Sequence, residues 1–179
     1  MRETPGTTAV VMHALPVGGG ILCLSSLPGR GGDYRGDLEH MSHWRPAMVI
    51  SLVTEVELVE AGAQALGQHI QDKGTRWVQL SIPTGEEPSA RVRERWPQVA
   101  AQAQRALLGG GRVLVHSAHG GGRCGMVALR LMIETGEAKD EALARLRAIC
   151  PECEGNTGQT NWSLKAERGA VRFVRHPER

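Results

Sequence analysis

The densest run of chemistry-bearing residues is Val113-Leu114-Val115-His116-Ser117-Ala118-His119-Gly120-Gly121-Gly122-Arg123-Cys124-Gly125. Its first residues read as a buried strand, its glycines as a tight turn, and its end as the start of a helix. Three glycines let the backbone curl so that successive N–H groups point inward, and the positive end of the helix adds to their field. An anion should therefore sit against Ser117 and the amides of Ala118, His119, Gly120, Gly121, Gly122 and Arg123. Arg123 adds a planar fork that matches two oxygens of a phosphate or sulfate. Each charge-assisted hydrogen bond contributes about 1.5–3 kcal/mol, against ~0.3–1 kcal/mol for the helix dipole, so Arg123 and the amides should dominate binding.

The elements that must hold this loop follow from apolar runs and their punctuation. Ile21 to Leu24 and Val113 to Val115 read as short strands, and Met48 to Val53 as a strand covered on both faces. Trp77 to Ile82 is a further strand. Helices are expected from Asp37, as the capping residue, through Trp44; from Glu55 to Asp72; from Arg91 to Leu108; from the glycine loop to about Glu134; and from Lys139 to Ile149. Pro97 must take a first turn or kink its helix. Ala142, Leu143, Leu146 and Ile149 mark the apolar face of the last of these. Strands alternating with helices predict an α/β domain of three layers, with a mostly parallel sheet of four or five strands flanked by helices. The loop would lie at the carboxyl end of the central strand. Residues 1–20 read as a tail or edge segment, and 21–179 as a single domain.

Composition narrows the function. The 179 residues are 41% apolar and 22% charged with a net charge of +2, which fits one ordinary globular domain and marks no nucleic-acid binder. Aromatics make up 3%, leaving few side chains to stack on bases; Trp44, Trp77, Trp96 and Trp162 read as packing. No apolar run approaches ~20 residues and no basic leader precedes an apolar stretch, so a soluble cytoplasmic protein without membrane contact is expected. Cys23, Cys124, Cys150 and Cys153 are not spaced as a disulfide framework. Cys150-Pro-Glu-Cys153 is a lone C-x-x-C without two further ligands at matching spacing, so no metal or other cofactor is expected.

Strand-His-(Cys)-x5-Arg, here His116-Ser117-x5-Arg123, resembles the phosphate loop of the cysteine-dependent protein tyrosine and dual-specificity phosphatases. It is most similar to the branch of cyclin-dependent kinase inhibitor 3-like enzymes. Leu27-Pro28-Gly29, Asp37-Leu38-Glu39, Thr54-Glu55-x-Glu57-Leu58 and Trp77-x-x-Leu80-x-Ile82-Pro83 follow in that family's order, so the likeness spans roughly residues 20–165. It implies a phosphomonoester hydrolase working through a cysteinyl-phosphate intermediate, with a phosphorylated protein or small phosphomonoester as substrate. Position 117 would supply the nucleophile, His116 would order the loop, and Gln159 would aim the hydrolytic water.

Two departures bear on that chemistry. Ser117 stands where the family has its cysteine. A thiol of pKa ~8.5 can be lowered to a thiolate by a helix terminus and nearby cations, whereas a hydroxyl needs an adjacent base. The chain should bind phosphate and turn it over slowly or not at all. Either a cysteine-to-serine substitution traps ligand in an inactivated enzyme, or the chain is a natural pseudophosphatase that binds phosphoprotein. Thr84 occupies the position of the family's general acid and is too weak an acid, leaving Glu86 or Glu87 to take that role. Cys124 follows the arginine where relatives carry Ser or Thr, and reads as packing or a weak donor. His119 reads as a solvated loop residue. Rhodanese-like sulfur transfer shares such an anion loop but has no use for Ser117.

Overall fold

The computed structural model describes residues 10–118 and 122–169. Five strands form one sheet in the order β1-β2-β5-β3-β4: β1 is Met12–Val17, β2 Gly20–Ser25, β3 Met48–Ser51, β4 Arg76–Gln79 and β5 Arg112–His116. All neighbours run parallel except β1, which pairs antiparallel with β2 through a two-glycine turn and forms an edge. The central β5 is flanked on both sides, and Leu22, Val49, Ile50, Val113, Leu114 and Val115 are fully buried. This explains their continuous apolar character, because a strand covered on both faces has no solvent side to alternate with.

The helices are α1 (Tyr34–His43), α2 (Glu55–Glu60), α3 (Leu66–Asp72), α4 (Ala90–Leu108), α5 (Arg123–Glu134), α6 (Lys139–Ile149) and α7 (Thr157–Leu164). Two cores separate by face. Trp96 of α4, most of α5 and Trp162 of α7 close one side of the sheet, whereas Met41, Leu58, Leu66 and Ile70 from α1–α3 close the other. Trp96 and Trp162 meet edge to face with ring centroids 5.4 Å apart. This is the three-layer α/β architecture that the alternation of elements predicts.

Three local expectations are corrected, and a choice left open at Pro97 is decided. Asp33, not Asp37, caps α1 by accepting from the Gly36 N–H; Asp37 is buried and accepts from the N–H groups of Val10 and Gly29. The helix expected from Glu55 to Asp72 is two helices. Gly62 at φ 66° ends α2 in a Schellman turn, its N–H bonding Val59 O while the Ala63 N–H bonds Leu58 O. Of the two places open to Pro97, it takes the one inside α4, exposed, so the Arg93 carbonyl left without an N–H partner belongs to the solvent side of the helix. Ile149, at the last residue of α6, overhangs the core and is 40% exposed.

Cys150 and Cys153 are joined in a disulfide, their Cα atoms 5.2 Å apart across the 3-10 turn Pro151–Cys153. The spacing of the four cysteines as a set did not announce this bond, because a three-residue turn brings two cysteines together without any wider framework. The turn packs on the start of α5. A Cβ at Gly125 would lie 1.8 Å from the Cys153 carbonyl oxygen, a backbone atom that cannot swing aside. Gly125→Ala is expected to destabilise the fold by about 3 kcal/mol, read as a lower urea midpoint at unchanged slope.

Candidate active site

β5 delivers the loop at the middle of the sheet. The Ser117 N–H bonds Ser25 O at 3.3 Å and the Leu27 N–H bonds Ala118 O at 3.5 Å, so β2 and its following turn hold the first half of the loop. The second half re-enters at Gly122, whose φ of 73° suits glycine and which precedes α5 as its N-cap. His119, Gly120 and Gly121 lie outside the described residues.

Arg123, the first residue of α5, is fully buried. Its Nη1 and Nη2 donate to the two carboxylate oxygens of Glu57 at 2.7 and 2.9 Å, and Nη1 donates also to Ile82 O at 3.0 Å. The fork expected for phosphate is thus filled by a carboxylate on its end-on edge. Five N–H groups are available on a guanidinium and three are used here. The Nε–H is buried without a partner among the described residues. Nε and the second Nη2 proton share the side-on edge, which makes that edge a two-donor seat for an anion.

Glu57 went unrecognised as a site residue. Its carboxylate also accepts from the Thr54 N–H and hydroxyl, completing a capping box at α2. The Thr54-x-x-Glu57 spacing signals that cap, but the sequence gives no sign that the same oxygens meet Arg123. Arg123 holds the Glu57 carboxyl below the usual carboxylate range.

Ser117 is buried, with its Oγ 3.1 Å from the Cys124 Sγ. Burial pushes the Cys124 thiol up to about 11, so it is protonated at neutral pH and donates to Ser117. Cys124 is therefore a donor and not a thiolate nucleophile. His116 is no base for Ser117 either. It is fully buried, its Nε2 in a short hydrogen bond with Ser51 Oγ, which in turn accepts from Trp77 Nε1 at 2.8 Å. That chain ties the end of β5 to β3 and β4 and gives Trp77 a polar task beyond packing.

Desolvation lowers the His116 pKa to about 4, so the ring is neutral at pH 7. The unfolded chain would titrate this histidine near pH ~6.5 and therefore binds more protons between the two values. The contribution to stability is complete above pH ~6.5 and is lost as the pH falls toward 4, a total of about 3 kcal/mol. Urea unfolding from pH 7 to 4.5 should show this slope, and His116→Gln should flatten it.

Gln159 is buried at the third position of α7. Its Oε1 accepts from the Asn156 N–H at 3.0 Å and its Nε2 donates to Glu86 O at 3.0 Å. Asn156 Nδ2 donates to Gly85 O at 2.9 Å, so α7 grips the turn that carries Glu86 and Glu87. A Cβ at Gly122 would meet Gln159 Oε1 at 2.5 Å, which places Gln159 directly against the end of the loop. Glu86 and Glu87 are exposed, and the Glu87 carboxylate lies over Gly158 at the start of α7.

Two cavities flank the loop. One, of about 210 Å³, has Ser117, Gly122 and Cys124 in its wall; the other, of about 250 Å³, has Glu57 and Ala118. Arg30, an exposed cation in the turn after β2, borders both. It is a second charge beside the site that the sequence reading did not anticipate, since a lone arginine in a glycine-rich turn carries no signature.

No family model matches the chain, and no curated protein matches it. Solved structures do. Kinase-associated phosphatase bearing a substitution of its catalytic-site cysteine to serine aligns with a TM-score of 0.74 at 20% identity, over 88% of this chain and 94% of that one. Tk-PTP in its active form aligns at 0.63 and 23% identity, over 80% and 88%. Human DUSP28 aligns at 0.58 and 17% identity, over 92% and 95%. The chain therefore has the fold of the protein tyrosine and dual-specificity phosphatases, its five-stranded sheet included.

Proposed function

We propose that this chain is a phosphatase-class protein whose loop binds the phosphate of a phosphorylated protein or small phosphomonoester and, with Ser117 in the nucleophile position, does not turn it over at a useful rate. The observation that carries this reading is the buried side-on edge of Arg123, whose Nε–H has no partner among the described residues. A buried donor left unsatisfied costs about 1–3 kcal/mol, and an anion at the loop would remove that penalty. The amides of residues 118–123 would hold the remaining oxygens, and Glu57 would fix the plane of the guanidinium.

Catalysis through a phosphoryl-enzyme needs an activated nucleophile, and neither the buried neutral His116 nor Cys124 supplies a base to Ser117. Glu86 and Glu87 remain the carboxylates nearest the role of general acid. Gln159 would serve by keeping their turn against the loop.

A second reading, a natural phosphate-binding module, is favoured by one feature. Compared with the family pattern, serine and cysteine have traded places at 117 and 124, and the two side chains are hydrogen-bonded to each other. A paired exchange fits a built arrangement better than a lone substitution does.

Thermal unfolding with inorganic phosphate tests binding. Phosphate at 100 times its dissociation constant should stabilise the chain by about 2.7 kcal/mol. Arg30→Ala should weaken that effect several-fold through loss of the local charge, and Arg123→Ala should abolish it. An unchanged melting temperature at saturating phosphate would overturn the proposal.

A further inference from the structure

The cavity beside Ser117 has a second wall that phosphate binding does not use. His13 on β1 reaches it, as do Cys150, Glu152 and Cys153 on the turn after α6. The ligating atoms of His13, Cys150 and Glu152 all lie within 4.8 Å of one another, and His13 Nε2 is 3.6 Å from Glu152 Oε1. Cys153 lies outside that group of three but is bonded to Cys150 and lines the same cavity, so reduction would offer a second sulfur beside the first.

The geometry points to a binding site for a thiophilic divalent cation of the zinc class, formed by the reduced Cys150 and Cys153 with His13 and Glu152. Tetrahedral zinc, with bonds of about 2.0–2.3 Å, sets its ligand atoms about 3.3–3.8 Å apart. Closing from 4.8 Å takes about 1 Å of side-chain movement by the partly exposed His13 and the exposed Glu152, and the two sulfurs, bonded to each other here, part to the same spacing on reduction. C-x-x-C is the spacing by which one short turn offers two thiolates to one metal. The turn is held in place by the Cys150 N–H on Leu146 O at 2.9 Å and the Cys153 N–H on Cys150 O at 3.0 Å. Two sulfurs, one imidazole and one carboxylate favour zinc over magnesium or calcium, which prefer oxygen alone. The sequence shows only the C-x-x-C, because His13 joins it from the opposite end of the chain through the β1 edge.

The disulfide must open first. An external dithiol supplies two electrons and two protons, becoming a disulfide itself, and leaves Cys150 and Cys153 as thiols. The incoming cation then displaces their two protons as it takes up the thiolates. Disulfide and metal are therefore alternative states of one pair.

The test uses the full chain, reduced anaerobically with a dithiol and freed of it, then titrated with Co2+. One equivalent should bind with a thiolate-to-cobalt charge-transfer band and tetrahedral d–d bands, both displaced by one equivalent of Zn2+. The oxidised chain should show neither. Cys150→Ser/Cys153→Ser should lose both bands. His13→Ala, which keeps both thiols and leaves the turn intact, should weaken Co2+ binding at least about tenfold. Three results would overturn the proposal: no charge-transfer band although two new thiols titrate, an unaltered band in the double serine variant, or a pair that excess dithiol does not reduce.

Discussion

Ser117→Cys with Cys124→Ser, which gives the loop the order of side chains of the phosphatases it resembles, is expected to make the chain hydrolyse aryl phosphates. The gain should be about 10³-fold or more, since it supplies the nucleophile on which the whole reaction depends. A cysteine at 117 would sit at the entrance to a loop whose following helix begins with Arg123, the surroundings that lower a thiol toward neutrality. A serine at 124 would then donate its hydroxyl to the sulfur, as the Cys124 thiol now donates to Ser117 at 3.1 Å. The single change Ser117→Cys should do less. It places two sulfurs in contact, and their oxidation to a disulfide would consume the nucleophile, so its activity should rise on adding a reductant while that of the double variant should not. Steady-state hydrolysis of an aryl phosphate measures both. Equal silence in the double variant, with phosphate still bound, would leave only the binding-module reading.

Removing the carboxylate from Glu57 should produce the largest loss of stability of any single polar change near the loop. Arg123 is fully buried, and its two bonds to Glu57 compensate its charge. Glu57→Gln leaves that charge inside the protein facing a neutral amide, a situation that typically costs about 3–5 kcal/mol. Urea unfolding measures the loss. Phosphate should restore much of it, because an anion at the free edge of the guanidinium replaces the missing charge. Replacing both partners, Arg123→Met with Glu57→Gln, should cost less than Glu57→Gln alone while abolishing phosphate binding. A double variant less stable than the single one would show that the pair contributes more than mutual neutralisation.

The sheet was legible because parallel, doubly covered strands must be continuously apolar, as Val113 to Val115 and Met48 to Ile50 are. The place of the loop between β5 and α5 was legible because a buried apolar run that stops at glycines reads as a strand ending in a turn. Contacts made between distant segments were not. Glu57 looks like an ordinary capping residue, and only folding brings it to Arg123. Asp37 looks like an N-cap, yet a buried aspartate can satisfy the N–H groups of Val10 and Gly29 instead, and Asp33 takes the cap. Gln159 is implied by the family resemblance, but its hold on the Glu86 backbone needs two loops to meet. The break at Gly62 was missed because the apolar pattern runs on across it, and only the left-handed turn ends the helix.

If the proposed function holds, the side-on edge of Arg123, its Nε–H and second Nη2 proton, receives the phosphate. Calorimetric titration of the native chain with phenyl phosphate, repeated on Arg123→Lys, tests it most directly. Lysine keeps the positive charge and lacks the two-donor edge. One phosphate ester should bind per native chain, and binding should be at least about tenfold weaker after Arg123→Lys, the loss of a single charge-assisted bond. Equal affinity in the two proteins would contradict it.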